Sequence, residues 1–153
     1  MRTMTQNPGR AITLALLMIA TATLVGCKSA ATQVSGRVIA GTVGQSMVIG
    51  PSDERLQEAG IPDVDVVVLH AGGSAARGTG VLAQTKTDEF GNFAFRIPRG
   101  KHPANSVMVR VRGEHIFASR SQTFLPTNAQ KLLCTVITRD GYTPPAPTEP
   151  TEE

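Results

Sequence analysis

The sequence predicts an all-β protein, a single Greek-key β-sandwich of about seven strands. Fifteen glycines and ten prolines are spread over 153 residues, and these residues are typical of turns rather than helix interiors. Between the turns, short valine-rich runs alternate apolar and polar positions, which is the period of a strand with one buried face. Short strands separated by regularly spaced turns favour a sandwich.

The first predicted strand is "QVSGRVIAG", in which Val34, Gly36 and Val38 alternate with polar positions. Residues 42–60 predict a loop that contains at most one helical turn, begun by Ser52 or Asp53 as cap, and "SMVI" as a candidate short strand. The apolar run 64–69 predicts a central strand. The remaining strands are predicted at about 81–87, 92–97, 106–112, 115–124 and 131–138.

Two strands show the strongest alternation and predict the core. In 92–97 the apolar residues are Phe93, Phe95 and Ile97, and in 107–112 they are three valines at alternate positions. A register slip of one residue would turn each apolar set towards water, so the pattern fixes which face is buried. A body of about 110 residues has room for one such core, which predicts a single domain over 34–140.

Residues 1–26 predict an export signal that is removed. Arg2 and Arg10 precede the apolar run "AITLALLMIATATLV", and a small residue and Cys27 follow it. This order of a basic, an apolar and a small-residue segment is that of a secretory signal. The run is shorter than the roughly 20 residues of a membrane-spanning helix, although an uncleaved membrane anchor is the alternative.

The segment "LVGC", residues 24–27, resembles the lipobox of bacterial lipoprotein precursors. The resemblance implies cleavage before Cys27 and acylation (palmitate or similar chains) of its thiol and its new amino group. Several acyl chains would hold the protein durably on a membrane, with residues 27–33 as lipidated N-terminus and spacer. An extracytoplasmic location in the cell envelope follows, and Lys28 in place of aspartate favours the outer membrane if the organism has one.

The order of motifs in the body resembles the carboxypeptidase regulatory-like domain, a transthyretin-like and immunoglobulin-like β-sandwich. The matching segments are "VSGRV", "GIPDVDVVVL", "AQTKTDEFGNFAFRIPRG" and "SVMVRVRGEHIFASRSQTFLP". The chain departs from the family pattern in a longer connection between Val38 and Ile61, in Asp63 where glycine is common, and in Glu114-His115 where tyrosine is common. The family implies structural, spacing or interaction roles and no shared catalytic residues.

The acidic stretch "TDEFGN", residues 87–92, has two interpretations. A calcium loop needs oxygen ligands at alternate positions, whereas Asp88 and Glu89 are adjacent and point apart. A structural turn needs a side chain that caps backbone amides and a residue that accepts positive φ, and Asp88 and Gly91 meet both needs. The sequence therefore predicts a turn.

Other candidate sites are weak, so the sequence predicts a protein without catalysis, metal or cofactor. The three histidines, at positions 70, 102 and 115, have no metal-binding spacing. Cys134 lies in the apolar strand "KLLCTVIT", where a buried thiol is expected. Residues 141–153, rich in proline and glutamate, predict a disordered tail.

The charge pattern leaves a binding role open. From Cys27 to Asp140 there are 13 basic and 9 acidic residues, too weak an excess and with too few aromatics for a nucleic-acid partner. Arg96, Arg110 and Arg112 are predicted to project from two adjacent strands. The favoured function is a membrane-anchored envelope lipoprotein that acts as a structural or protein-interaction module. The alternative is binding of an anionic or carbohydrate envelope ligand, such as a polysaccharide, by this basic face.

Overall fold

The computed structural model describes residues 31–146 except 75, 99 and 128. The predicted signal, Cys27 and the end of the tail lie outside the described residues. The described chain forms a two-sheet β-sandwich, which confirms the predicted all-β class. It has eight strands: β1 Thr32–Ala40, β2 Gln45–Ile49, β3 Asp65–Ser74, β4 Thr79–Lys86, β5 Asn92–Ile97, β6 Val107–Arg112, β7 Ser119–Thr123 and β8 Lys131–Val136.

Each sheet has four strands. Sheet A has the order β2-β8-β1-β5, and sheet B has the order β4-β3-β6-β7. Strands β1 and β8 are parallel, with Gly36 opposite Leu132 and Ala40 opposite Val136. The other described pairs are antiparallel. The chain passes from sheet B to sheet A between β4 and β5 and returns between β5 and β6.

The core lies between the two sheets and is built from the alternating sets that the sequence predicts. Phe93, Phe95 and Ile97 of β5 are buried, and so are the three valines of β6. Val34 and Val38 of β1 belong to the same cluster, on the sheet that contains β5. Each fully buried side chain of this size contributes about 1.5–3 kcal/mol relative to an exposed one. The inner faces of both sheets therefore carry most of the apolar stabilisation.

A second, smaller cluster covers the outer face of sheet A and explains the eighth strand. The segment "SMVI" forms β2 against β8, and a 3-10 helix, Glu54–Gln57, follows it. Leu56 of this helix packs on Ile39, Ile49 and Leu133. Asp53 caps the helix, and its hydrogen bond with Arg55 lowers the pKa of its carboxyl. No helix in the described part of the chain is long and apolar enough to cross a membrane.

The strand directions put the start of β1 and the end of β8 at opposite ends of the sandwich. Strand β1 begins at the end that carries the loops 98–106 and 124–130, because Thr32 pairs with Ile97 and β8 runs parallel to β1. We call this the N-terminal end. Strand β8 finishes at the other end, which carries the turn 87–91 and the loop 113–118. We call this the far end.

The ordered body extends past the boundary predicted at residue 140. Tyr142 is half-buried against the main core, and its ring stacks on His115 with 4.7 Å between the ring centres. Its backbone amide donates to the carbonyl of Arg139. The predicted tail therefore begins too early by at least two residues, because the ring of Tyr142 packs on the apolar core.

Candidate functional site

The structure places Asp88 and Gly91 in a tight turn between β4 and β5. The Asp88 carboxylate accepts hydrogen bonds from the backbone amides of Phe90 and Asn92, at 3.0 and 2.8 Å. The amide of Gly91 donates to the carbonyl of Asp88, and Gly91 takes a φ of +77°. The same Asp88 oxygen accepts both amides, so the carboxylate is engaged in turn geometry rather than directed at a ligand.

Gly91 also lies at a close approach of three backbone segments. A Cβ on Gly91 would lie 2.5 Å from the Cα of Gly60 and 2.5 Å from the nitrogen of Ile61. The carbonyl of Gly91 accepts from the amide of Val38, whose own carbonyl accepts from Ile61, both at 2.9 Å. The turn therefore joins β1 to the segment that leads into β3.

Thr87 is a structural residue that the sequence interpretation missed. Its hydroxyl donates to the carbonyl of Ile61 at 2.8 Å and accepts from the amide of Val64 at 2.9 Å. The side chain is buried, so it satisfies two backbone groups that water cannot reach. A threonine at the end of an alternating strand looks like any β-branched strand residue, so no local pattern distinguishes it.

The three arginines predicted to share one face do not share it, and the prediction that their strands are adjacent is wrong. Arg96 lies on β5 at the edge of sheet A, opposite Gln33 of β1. Arg110 and Arg112 lie on β6 in the interior of sheet B. The loop 98–106 carries the chain from sheet A to sheet B. The outward side chains of β5 and β6 therefore lie on opposite outer surfaces of the sandwich.

The outer face of sheet B has a different set of basic residues. The guanidinium of Arg112 contacts the carboxylate of Asp65 at 3.2 Å on the neighbouring strand. Arg110 lies directly opposite Arg120 of β7. Arg120 does not stand out in the sequence, because the predicted strand 115–124 is longer than β7 and does not define its register. The register of "SRSQT" puts Arg120 on the outer face beside Arg110.

The glycine-rich hairpin between β3 and β4 folds over part of this outer face. Leu69 faces outward, opposite Met108, yet only 3% of it is exposed. The register of β3 with β4 shifts between Leu69 and Ser74, so the hairpin departs from a flat ribbon. A cleft of about 360 Å³ lies here, lined by Leu69, Gly73, Ser74, Arg110, Ala118, Ser119 and Arg120.

Cys134 is a buried core residue rather than a nucleophile. It is fully buried, and its sulfur accepts a hydrogen bond from the hydroxyl of Ser46 at 3.3 Å. Burial raises the pKa of the thiol to about 12, an effect that the Ser46 hydrogen bond only partly offsets. The reactive thiolate is therefore scarce near neutral pH.

The histidines do not converge. His70 lies at the end of β3's pairing with β6, His102 in the loop 98–106, and His115 at the far end. Within residues 31–146, as far as they are described, no group of three histidine, cysteine or acidic side chains could hold a metal ion.

Comparisons of the chain with protein-family models, curated proteins and solved structures find no match. The sandwich architecture is shown by the strand order and register. The likeness of residues 24–27 to a lipobox and of the body to the carboxypeptidase regulatory-like domain stay predictions from sequence.

Proposed function

We propose that the protein is a lipid-anchored envelope protein that acts as a structural or protein-interaction module without catalysis of its own. The observation that carries the proposal is the segment "LVGC", which follows a basic and an apolar segment and ends five positions before β1 begins at Thr32. A cysteine in that position is the attachment point for acyl chains. The folded body would then start almost at the lipid.

The short connection limits how far the body can move from the membrane. Five residues span at most about 17 Å when fully extended. Because β1 begins at the N-terminal end of the sandwich, that end would lie near the headgroups. The far end, where β8 finishes, would point away from the membrane.

The charges of the two ends suit this orientation. Two loops at the N-terminal end, 98–106 and 124–130, contain no aspartate or glutamate, and they carry Lys101 and an exposed Phe124. The segment that follows β2 brings Asp53 and Glu54 to the same end, where Asp53 is paired with Arg55. The loops at the far end carry five carboxylates: Asp63, Asp88, Glu89, Glu114 and Asp140. An anionic membrane surface attracts basic groups within a Debye length and repels acidic ones. An aromatic ring at the interface adds apolar contact.

The absence of catalysis in the proposal is supported by what the reactive residue types do. The Cys134 thiol is buried with a raised pKa, and the Asp88 carboxylate is occupied by backbone amides. In this proposal the partners are the membrane, through the lipid, and another envelope component, through the folded body. Lys28 after Cys27 favours the outer membrane of a diderm organism.

Metabolic labelling with a palmitate analogue tests the anchor. The full-length chain should incorporate label and fractionate with membranes, and Cys27→Ala should do neither. Cys134→Ala is the matched control, since it removes the other cysteine of the chain and should leave labelling unchanged. Label that persists in Cys27→Ala, or membrane fractionation that does not depend on Cys27, would reject the lipid anchor.

A further inference from the structure

Two arginines face each other across β6 and β7 without a carboxylate partner. Arg110 and Arg120 are in direct register, so their Cβ atoms are about 4.5–5.5 Å apart, and like charges in this position destabilise a sheet. Among the described residues, no carboxylate lies within 4.0 Å of either guanidinium, whereas the neighbouring Arg112 has Asp65. The pair therefore creates a local excess of positive charge that the fold itself does not neutralise.

The cleft beside the pair has walls of two kinds. Arg110 and Arg120 come from the outer face of sheet B, and Gly73 and Ser74 come from the hairpin folded over it. Leu69 is the large apolar residue of the lining. Its volume of about 360 Å³ lies within the range of small-molecule sites, about 300–1,000 Å³, so it can hold an anionic group together with a small polar substituent.

The residues that line the cleft include donor types that bind tetrahedral oxyanions. Each guanidinium presents five N–H donors in a planar fork and no acceptor, which matches the oxygens of a phosphate bidentately. Ser74 carries a hydroxyl, a further donor. The attraction of a dianion for both guanidiniums would outweigh the repulsion between them.

We propose that this cleft binds a phosphate monoester group, held between Arg110 and Arg120. The site differs from the face predicted from sequence, because it uses Arg120 and excludes Arg96 and Arg112. It is independent of the lipid anchor, since its residues all lie in the body. It gives the protein a small-ligand or phosphosugar-binding capacity in addition to a structural role.

Nuclear magnetic resonance titration of the full chain in a non-ionic detergent tests the proposal. Inorganic phosphate should give saturable shifts of amides in the β3–β4 hairpin and in β6 and β7, and acetate at the same ionic strength should not. Arg110→Gln and Arg120→Gln should each weaken phosphate binding at least tenfold. Arg96→Gln removes the same charge from the other sheet and should bind as the wild type does.

A second ligand tests whether the phosphate belongs to a sugar phosphate, and a conservative variant separates loss of binding from loss of folding. Glucose 6-phosphate that binds several-fold more tightly than inorganic phosphate would indicate a sugar phosphate, and equal affinities would indicate recognition of the phosphate alone. Arg120→Lys keeps the charge and the aliphatic stem but loses the fork, so it should fold and bind phosphate several-fold more weakly. Shifts that do not saturate, or an Arg96→Gln variant that loses as much affinity as Arg110→Gln, would overturn the site.

Discussion

Alanine at position 91 should destabilise the fold strongly, for two separable reasons. The first is conformational, because Gly91 has a φ of +77°, where an L-residue costs about 1–2 kcal/mol. The second is steric, because the new Cβ would lie 2.5 Å from the Cα of Gly60 and from the nitrogen of Ile61. These are backbone atoms that cannot rotate away, and overpacking of this kind costs about 1–3 kcal/mol. The expected loss for Gly91→Ala is therefore about 2–5 kcal/mol.

Gly100→Ala separates the two terms. Gly100 has a nearly identical φ of +76°, but a Cβ there would meet nothing within 4 Å. Its expected loss is the conformational term alone, about 1–2 kcal/mol. Urea unfolding followed by far-ultraviolet circular dichroism suits both variants, because the chain has no tryptophan. The slope of free energy against urea should be the same in both, which makes the midpoints comparable.

The comparison can refute the close approach described for the turn. If Gly91→Ala and Gly100→Ala lose stability equally, within about 0.5 kcal/mol, then backbone contact with Gly60 and Ile61 contributes nothing. Calcium is a second check, since the turn interpretation requires that added calcium leave the unfolding midpoint of the wild type unchanged. A calcium-dependent midpoint that Gly91→Ala abolishes would restore a ligand role for residues 88–92.

Three further predictions concern polar and thiol groups. Thr87→Val should cost about 2–4 kcal/mol in urea unfolding, because two buried backbone groups lose their partner; a loss below about 0.5 kcal/mol would contradict it. Asp88→Ala should cost about 1 kcal/mol through the lost cap, with the adjacent Glu89→Ala as a neutral control; equal effects would contradict the capping role. The folded-state pKa of Cys134, about 12, exceeds that of an unfolded thiol, so its contribution to stability is present below about pH 8.5 and lost as pH rises towards 12. The difference in free energy of unfolding between wild type and Cys134→Ala should therefore shrink by about 1.4 kcal/mol per pH unit above pH 8.5. A difference that stays constant from pH 8 to 11 would refute the burial argument.

Local patterns predicted the class of the fold and the buried face of most strands. The alternation at Phe93, Phe95 and Ile97 is a property of adjacent residues, and the core uses it as predicted. The turn at Asp88 and Gly91 is also local, because the capping carboxylate and its amides lie within five positions.

The partition of strands between sheets could not be predicted in the same way. Whether β5 and β6 pair depends on the path of the loop 98–106, and a period of two says nothing about it. Arg96 and Arg110 therefore looked like neighbours and are not. Arg120 becomes interesting only when its register with Arg110 is known. The hydrogen bonds of Thr87 with Ile61 and Val64 were also unpredictable, because they join segments more than 20 residues apart in sequence.

Asp63, after Pro62, has an unusual backbone conformation with a local explanation. It takes a φ of +54°, a conformation that glycine favours. Aspartate tolerates this region better than most residues. Its carboxylate contacts the ammonium group of Lys86 at 2.6 Å, although both side chains are largely exposed.

The parallel pairing of β1 with β8 has a mechanical consequence. The chain enters β1 at one end of the sandwich and leaves β8 at the other. A force applied between the two termini would therefore act along both strands and across the hydrogen bonds that join them. Those bonds would share the load together rather than open one after another. In single-molecule pulling we expect a high unfolding force for this geometry, because the central strand pair of sheet A would resist stretching.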